Sequence, residues 1–414
     1  MSTGLSLRTQ YYYYRNKNRA YSSIVTGAHL TNKITKDKVI SCVSELARQR
    51  RALRTNVIDS KLQEILCEAE KCVHSLDNKT PQEALEELHE CCFDTDAEQP
   101  LWNFTLVNGE WLFFVCDHLL YDGTTTVLVV EDLVTLLGGG SLLPDENNDD
   151  DYNKLTKPSL YFTVKTLLFE VTTVMGSMLR KEDTPASFVD TSDFKSNRCI
   201  LEFHSEELGK IKKFYKREGL TFTTMLAMIN VYVVGAITGR RCVNVHIPIN
   251  QRRYLGSSRC YGNYVSDVNR SFAHSVPWKE LKSLIALKES DLKTSPQMIG
   301  MLAYVNIENY VKNNMEKIPD PSVVEISNLG MRSALKGTDK FLFSQPKNKI
   351  SKCVTNNVVS SPSTLMISLE YAYDAAFFEE YSGLMKHILS MITSSGDSLS
   401  GEDCVSAVSN WNLR

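Results

Sequence analysis

Apolar residues recur at helical spacing over 35–51, where Val39, Ile40, Val43, Leu46 and Ala47 share one face and Thr35 or Asp37 can cap the start. Residues 56–76 and 81–92 read as two further helical pieces. The texture then changes. Residues 102–106 and 111–116 are short, aromatic and apolar, and Asn108-Gly109 between them favours a tight hairpin. Residues 124–137 return to helical spacing and stop at Gly138-Gly139-Gly140. Beyond them the hydrophobic period is lost over 144–158, where Asp145, Glu146, Asp149, Asp150 and Asp151 crowd together as in a solvated linker.

The second part repeats the mixture. Strands are predicted at 199–204, 242–248, 323–327, 340–344, 353–359 and 365–373, with 242–248 read as an apolar strand. Helices are predicted at 205–217, 223–238, 278–290 and 297–314, and Phe377, Tyr381, Leu384, Ile388 and Ile392 mark a last amphipathic one. The expected organisation is an N-terminal half over 1–144, an acidic linker over 145–158 and a C-terminal half over 159–414. The fold class is mixed α/β, each half a sheet covered by helices.

The 414 residues exceed what one hydrophobic core usually serves, which agrees with two halves. A net charge of −3 argues against a general nucleic-acid binder. The 11 cysteines, among them Cys42, Cys116 and Cys242 in apolar runs, form no Cys-x-x-Cys pair and read as reduced, partly buried thiols of a cytoplasmic protein. Residues 1–18 lack the apolar core of a signal peptide; the tyrosine run 11–14, followed by Arg15, Lys17 and Arg19, reads as a flexible arm. No apolar stretch approaches the ~20 residues that span a bilayer. The longest, 225–237, contains Asn230 and Gly235 and reads as a buried helix.

Residues 113–123 carry the candidate chemistry. An apolar strand leads into Asp117-His118, and three residues later come Asp122 and Gly123, where glycine permits a backbone conformation that other residues resist. Imidazole is the side chain whose ordinary pKa suits a base near neutral pH. Asp122 is too close in sequence to be assumed a triad carboxylate, and pairing with an arginine to shape the loop suits it better. Other chemistries are missing. Gly256-Ser257-Ser258-Arg259-Cys260 lacks the last glycine of a nucleophile elbow, His89-Glu90-Cys91-Cys92-Phe93 ends wrongly for a zinc helix, and no phosphate loop or dinucleotide fingerprint occurs. No metal is called for.

His118-Leu119-Leu120-Tyr121-Asp122-Gly123 resembles the His-x-x-x-Asp-Gly signature of the CoA-dependent acyltransferases, which include chloramphenicol acetyltransferase, plant acyltransferases and condensation domains. Arg19-Ala20-Tyr21-Ser22-Ser23, Val25-Thr26-Gly27 and Ala52-Leu53-Arg54-Thr55-Asn56-Val57 resemble the opening of the fungal alcohol O-acetyltransferases, a group related to a yeast N-acetyltransferase of sphingosine-like inhibitors. The plant family's Asp-Phe-Gly-Trp-Gly motif is missing. The resemblance implies a two-domain chloramphenicol-acetyltransferase-like fold with a channel between the halves. It implies His118 as general base and an arginine paired with Asp122: Arg252 of Asn250-Gln251-Arg252, with Arg253 the runner-up. Gly262 and Asn263 resemble an element near the channel, and Ser327, Asn328 and Gly330 an element opposite the histidine that serves the oxyanion or the cofactor.

The implied reaction is transfer of an acetyl group from acetyl-CoA to a hydroxyl acceptor, a fusel alcohol or a sterol. The alternatives are transfer to a long-chain, sphingoid-like amine and a non-catalytic acyl-CoA-binding protein of the same fold. The implied partners are acyl-CoA and a small or lipid-like acceptor, with the chain a monomer. Longer ester-forming relatives carry terminal amphipathic helices that attach to the endoplasmic reticulum or lipid droplets. This chain starts close to its first motif and ends at Trp411-Asn412-Leu413-Arg414, so the expectation is a cytoplasmic protein, with peripheral contact with those membranes left open.

Overall fold

The structure, a computed structural model, describes residues 4–20, 23–146, 149–168, 197–317, 319–333, 335–345, 350, 353–395 and 398–411. Tyr21 and Ser22 of the opening motif and the terminal residues 412–414 lie outside the described residues. In chain order the first part gives α1 (Leu7–Lys17), β1 (Ser23–Leu30), α2 (Lys36–Gln49), β2 (Thr55–Ile58), β3 (Lys61–Glu64), α3 (Ala69–Cys72), β4 (Val73–Leu76), α4 (Pro81–Leu88), β5 (Trp102–Val107), β6 (Trp111–Asp117) and α5 (Gly123–Leu137). A short helix α6 (Asp149–Leu155) follows. The second part contributes β7 (Asn197–His204), β8 (Cys242–Asn250), β9 (Val265–Ala273), β10 (Val323–Met331), β11 (Thr338–Ser344), β12 (Val354–Ser360) and β13 (Thr364–Tyr371), with long helices at Ser205–Arg217, Phe222–Thr238 and Ala375–Ser395.

These strands form a five-stranded sheet, β11-β1-β6-β5-β4, and a six-stranded sheet, β7-β13-β12-β10-β8-β9. The predicted Asn108-Gly109 turn joins β5 to β6, with both residues at positive φ. β6 is buried along its whole length because α5, a largely apolar helix, packs against it and β1. Strand β11 leaves the second part and completes the first sheet beside β1. Two separate cores result, one around α5 and one around Phe222–Thr238 and Ala375–Ser395. Phe222–Thr238 lies inside the second core, and no single helix among the described residues is long and apolar enough to cross a membrane.

Several sequence expectations are corrected. Residues 56–76 are not one helix: Asp59 and Ser60 both take positive φ and turn β2 back on β3, and Asn56 is buried against the carbonyls of Ala97 and Gln99. The expected helix over 297–314 breaks at Met301–Tyr304 and restarts at Ile307, where the Asn306 side chain caps Asn309 N. Within the acidic stretch, α6 buries Tyr152, whose hydroxyl donates to the carbonyl of Val265 (2.8 Å). Cys242 is exposed, not buried, while Cys116 is fully enclosed; among the described residues no cysteine forms a disulfide.

The tyrosine-rich arm is helix α1, capped by the Ser6 hydroxyl on Thr9 N (3.1 Å). Asn16 anchors it. Its amide donates to the Phe93 carbonyl and lies 3.3 Å from Asp117 Oδ2, and its oxygen accepts from Thr95 N.

Candidate active site

The chain leaves β6 at Asp117, whose Oδ1 accepts Leu119 N (2.8 Å) and turns the loop that presents His118. The loop ends at Asp122, the N-cap of α5, with Oδ1 accepting Thr125 N (2.8 Å). Arg252 Nη1 donates to Asp122 Oδ2 (2.7 Å), so the predicted arginine is the one that reaches it. Arg252 also donates to Thr125 Oγ1, the Cys260 carbonyl and the Gly262 carbonyl, and its guanidinium stacks over Tyr264 at 4.8 Å. Burial alone would push the Asp122 carboxyl up. The Arg252 charge, with the amides of Thr125 and Tyr264, holds it below the usual carboxylate range. Arg253 points elsewhere, toward Glu289 (3.6 Å).

Gly123 does not take a positive φ, contrary to the sequence argument. It is glycine for space, since a Cβ there would come within 2.6 Å of Leu329 and 3.3 Å of Phe343.

The His118 ring is half-buried and stacked on Tyr12, centroids 4.6 Å apart. The ring hydrogen-bonds the residue's own carbonyl. Asn263 Nδ2 donates to the same carbonyl (2.6 Å) and lies 3.1 Å from Nδ1. Arg8 in turn holds Asn263 Oδ1 (2.7 Å). The tautomer that serves a base at Nε2 carries its proton on Nδ1, and no described residue hydrogen-bonds Nε2. Burial, with the charges of Arg15 and Arg8, pushes the imidazole pKa down to about 4, against the raising effects of its own carbonyl and Asp122. The ring is therefore neutral at physiological pH.

His118 opens onto a cavity of about 930 Å³. One wall follows from strand alternation: Asn244, His246, Pro248 and Asn250 of β8, Asp267 and Asn269 of β9, and Glu325 and Ser327 of β10 all face it. The intervening Val243, Val245, Ile247, Ile249, Val324 and Ile326 face the second core. Strand β8 is thus half polar, not uniformly apolar. The opposite wall is α1, through Tyr11, Tyr12 and Arg15. Burial, with the Asp267 charge, raises the Glu325 carboxyl to about 7, and burial raises that of Asp267.

Ser327 is buried in this wall on the same cavity as His118. Asn328 donates to Thr223 Oγ1 (3.0 Å) and also lines a second cavity of about 1200 Å³. Gly330 lines neither cavity; at φ +75° it forms the irregularity between β10 and β12, its N–H donating to Asn328 Oδ1. Gly262 lies behind His118, its carbonyl accepting from Thr125 and Arg252. Sequence reasoning missed Arg8, Tyr12 and Arg15. Their spacing of four and then three residues was the available signal, since it puts all three on one helical face.

Residues 62–380 match the sequence pattern of the alcohol acetyltransferase family. The chain belongs to that family. An uncharacterised protein of Schizosaccharomyces pombe is 25% identical over 189 residues, 40% of this chain, and the match spans 42% of that protein's length. Among solved structures, the condensation domain of the monacolin K polyketide synthase aligns with TM-score 0.60 and 12% identity, over 95% of this chain and 97% of that one. The epimerization domain from the third module of tyrocidine synthetase B gives 0.61 and 14%, over 96% and 97%. The cyclization-docking bidomain of Sorangium cellulosum gives 0.67 and 12%, over 96% and 85%. At such identities the likeness is one of fold: the two-lobed, chloramphenicol-acetyltransferase-like architecture expected from the sequence.

Proposed function

We propose that this alcohol acetyltransferase family member transfers an acetyl group from acetyl-CoA to a hydroxyl acceptor, with His118 as general base. The observation that carries the reading is a neutral imidazole whose Nδ1 is occupied and whose ring borders a cavity large enough for an acceptor.

His118 Nε2 takes the proton from the acceptor hydroxyl as its oxygen attacks the thioester carbonyl carbon. The carbonyl π electrons move onto oxygen, and Ser327 and Asn328, midway along β10, are the candidates to stabilise that oxyanion. The C–S bond then breaks, and the imidazolium returns the proton to the thiolate. No covalent acyl-enzyme is needed. The second cavity suits the acyl donor: Arg217, Arg253, Lys279 and Lys282 line it, a basic set for phosphates, and it meets the His118 cavity at Pro248, Asn250 and Asn328.

An amine acceptor is the second reading. The carboxyls of Asp267 and Glu325 in the acceptor cavity favour it, since they can receive a cationic group. Purified protein incubated with acetyl-CoA and, in parallel, isoamyl alcohol, a sterol and a sphingoid base tests both. Mass spectrometry should show an acetylated product with no acetyl group left on the protein after quenching. A stable acetyl-protein adduct on the turnover path would overturn the direct transfer.

A further inference from the structure

Arg15 is 5% exposed, yet its Nε and Nη2 are sealed from solvent without a hydrogen-bond partner, and among the described residues it forms no ion pair. Its guanidinium lies 5.5 Å from the Tyr11 ring centroid and 5.0 Å from that of Tyr12. The rings offset part of the desolvation of a buried cation but supply no counter-charge. Arg15 lines the same cavity as His118, opposite the polar faces of β8, β9 and β10. Asp267 and Glu325 share that cavity without a direct ion pair to it; burial makes both harder to ionise than ordinary carboxyls, and the Arg15 charge only partly offsets this at Glu325.

A second cation, Arg8, sits on the same face of α1 and is committed to Asn263 through Nη1. The base is thus approached by two positive charges from one helix, and only one has a partner. A guanidinium without a protein partner on a cavity wall presents a planar fork that matches a carboxylate carried by a ligand.

We propose that Arg15 docks a carboxylate carried by the acceptor, so that a hydroxy or amino acid is bound in preference to its uncharged counterpart. This deepens the acyl-transfer reading and rests on the same cavity. An uncharged fusel alcohol would leave the buried cation unpaired in the ternary complex; a hydroxy acid of the same carbon skeleton satisfies it.

The test compares acids with their neutral isosteres. Leucic acid, leucine and the methyl ester of each are titrated calorimetrically into the wild-type chain, Arg15→Met and Arg15→Lys, and all are then assayed for CoA release with acetyl-CoA. The work is done at pH 8, where His118 is neutral with or without Arg15. Circular dichroism checks that each variant is folded. The wild type should bind at least one acid about tenfold to a hundredfold more tightly than its ester. Arg15→Met should lose that preference, and Arg15→Lys should keep part of it. Equal binding of acid and ester, failure of both acids to bind, or an unchanged preference in Arg15→Met overturns the proposal. Arg15-dependent acid binding without CoA release would leave the docking site standing and refute acyl transfer. Turnover of the esters with no Arg15 dependence would do the reverse.

Discussion

Arg15 and Arg8 act on His118 through charge before any ligand arrives. A positive neighbour disfavours the imidazolium, so removing one raises the imidazole pKa from about 4 toward its ordinary 6.5. The acid limb of kcat/KM for the wild type should therefore lie near pH 4, and in Arg15→Gln it should move to higher pH. A limb near 6.5 in the wild type would contradict the burial and charge described for the ring. Asn263 is a positioning residue, holding the His118 carbonyl and, through it, the ring. Asn263→Ala should lower kcat about tenfold with little change in the KM for acetyl-CoA. An equal effect on both would point to a general disturbance of the cavity instead. His118, Asp122 and Arg252 were legible in the sequence because each belongs to a short local pattern. Arg8 and Arg15 were not, because a run of four tyrosines in a polar N-terminus does not reveal the partner surface that makes it fold.

The Asp122–Arg252 pair shows what an element boundary can carry. One carboxylate caps α5, accepts the Tyr264 amide and neutralises a guanidinium that itself ties the Cys260–Gly262 segment to α5. Asp122→Asn leaves that guanidinium buried and uncompensated, so it should cost about 3 kcal/mol of stability at pH 7, read as a lowered denaturation midpoint. The Asp122 pKa is depressed on folding, so its contribution is present above the unfolded value near 3.9 and is lost as pH falls through the lower folded value. The gap between wild type and variant should therefore close only in acid. An unchanged midpoint with activity lost would assign Asp122 a direct chemical part. Strands were read well where one face is buried against a core, as in β5, β6 and β13. Strand β9 escaped notice because Asp267, Asn269 and Ser271 face a cavity, which leaves no apolar alternation to detect.

Across the whole molecule, two lobes with separate cores present one continuous reaction space. The His118 cavity and the basic cavity meet at Pro248 and Asn250, at the end of β8, and at Asn328, midway along β10. The mixed α/β class and the two-lobed plan were legible because hydrophobic periodicity is a local property. The path of β11 into the first sheet was not, since its seven residues pair with a strand more than three hundred positions earlier. Nothing local encodes such a crossover.

The central claim is that His118 moves the acceptor proton. Thiol release from acetyl-CoA by wild type and His118→Ala, with calorimetric acetyl-CoA binding measured on both, tests it most directly. The account predicts unchanged acetyl-CoA binding and a near-complete loss of acceptor-dependent release in the variant. Release at the wild-type rate from a folded His118→Ala protein would contradict it.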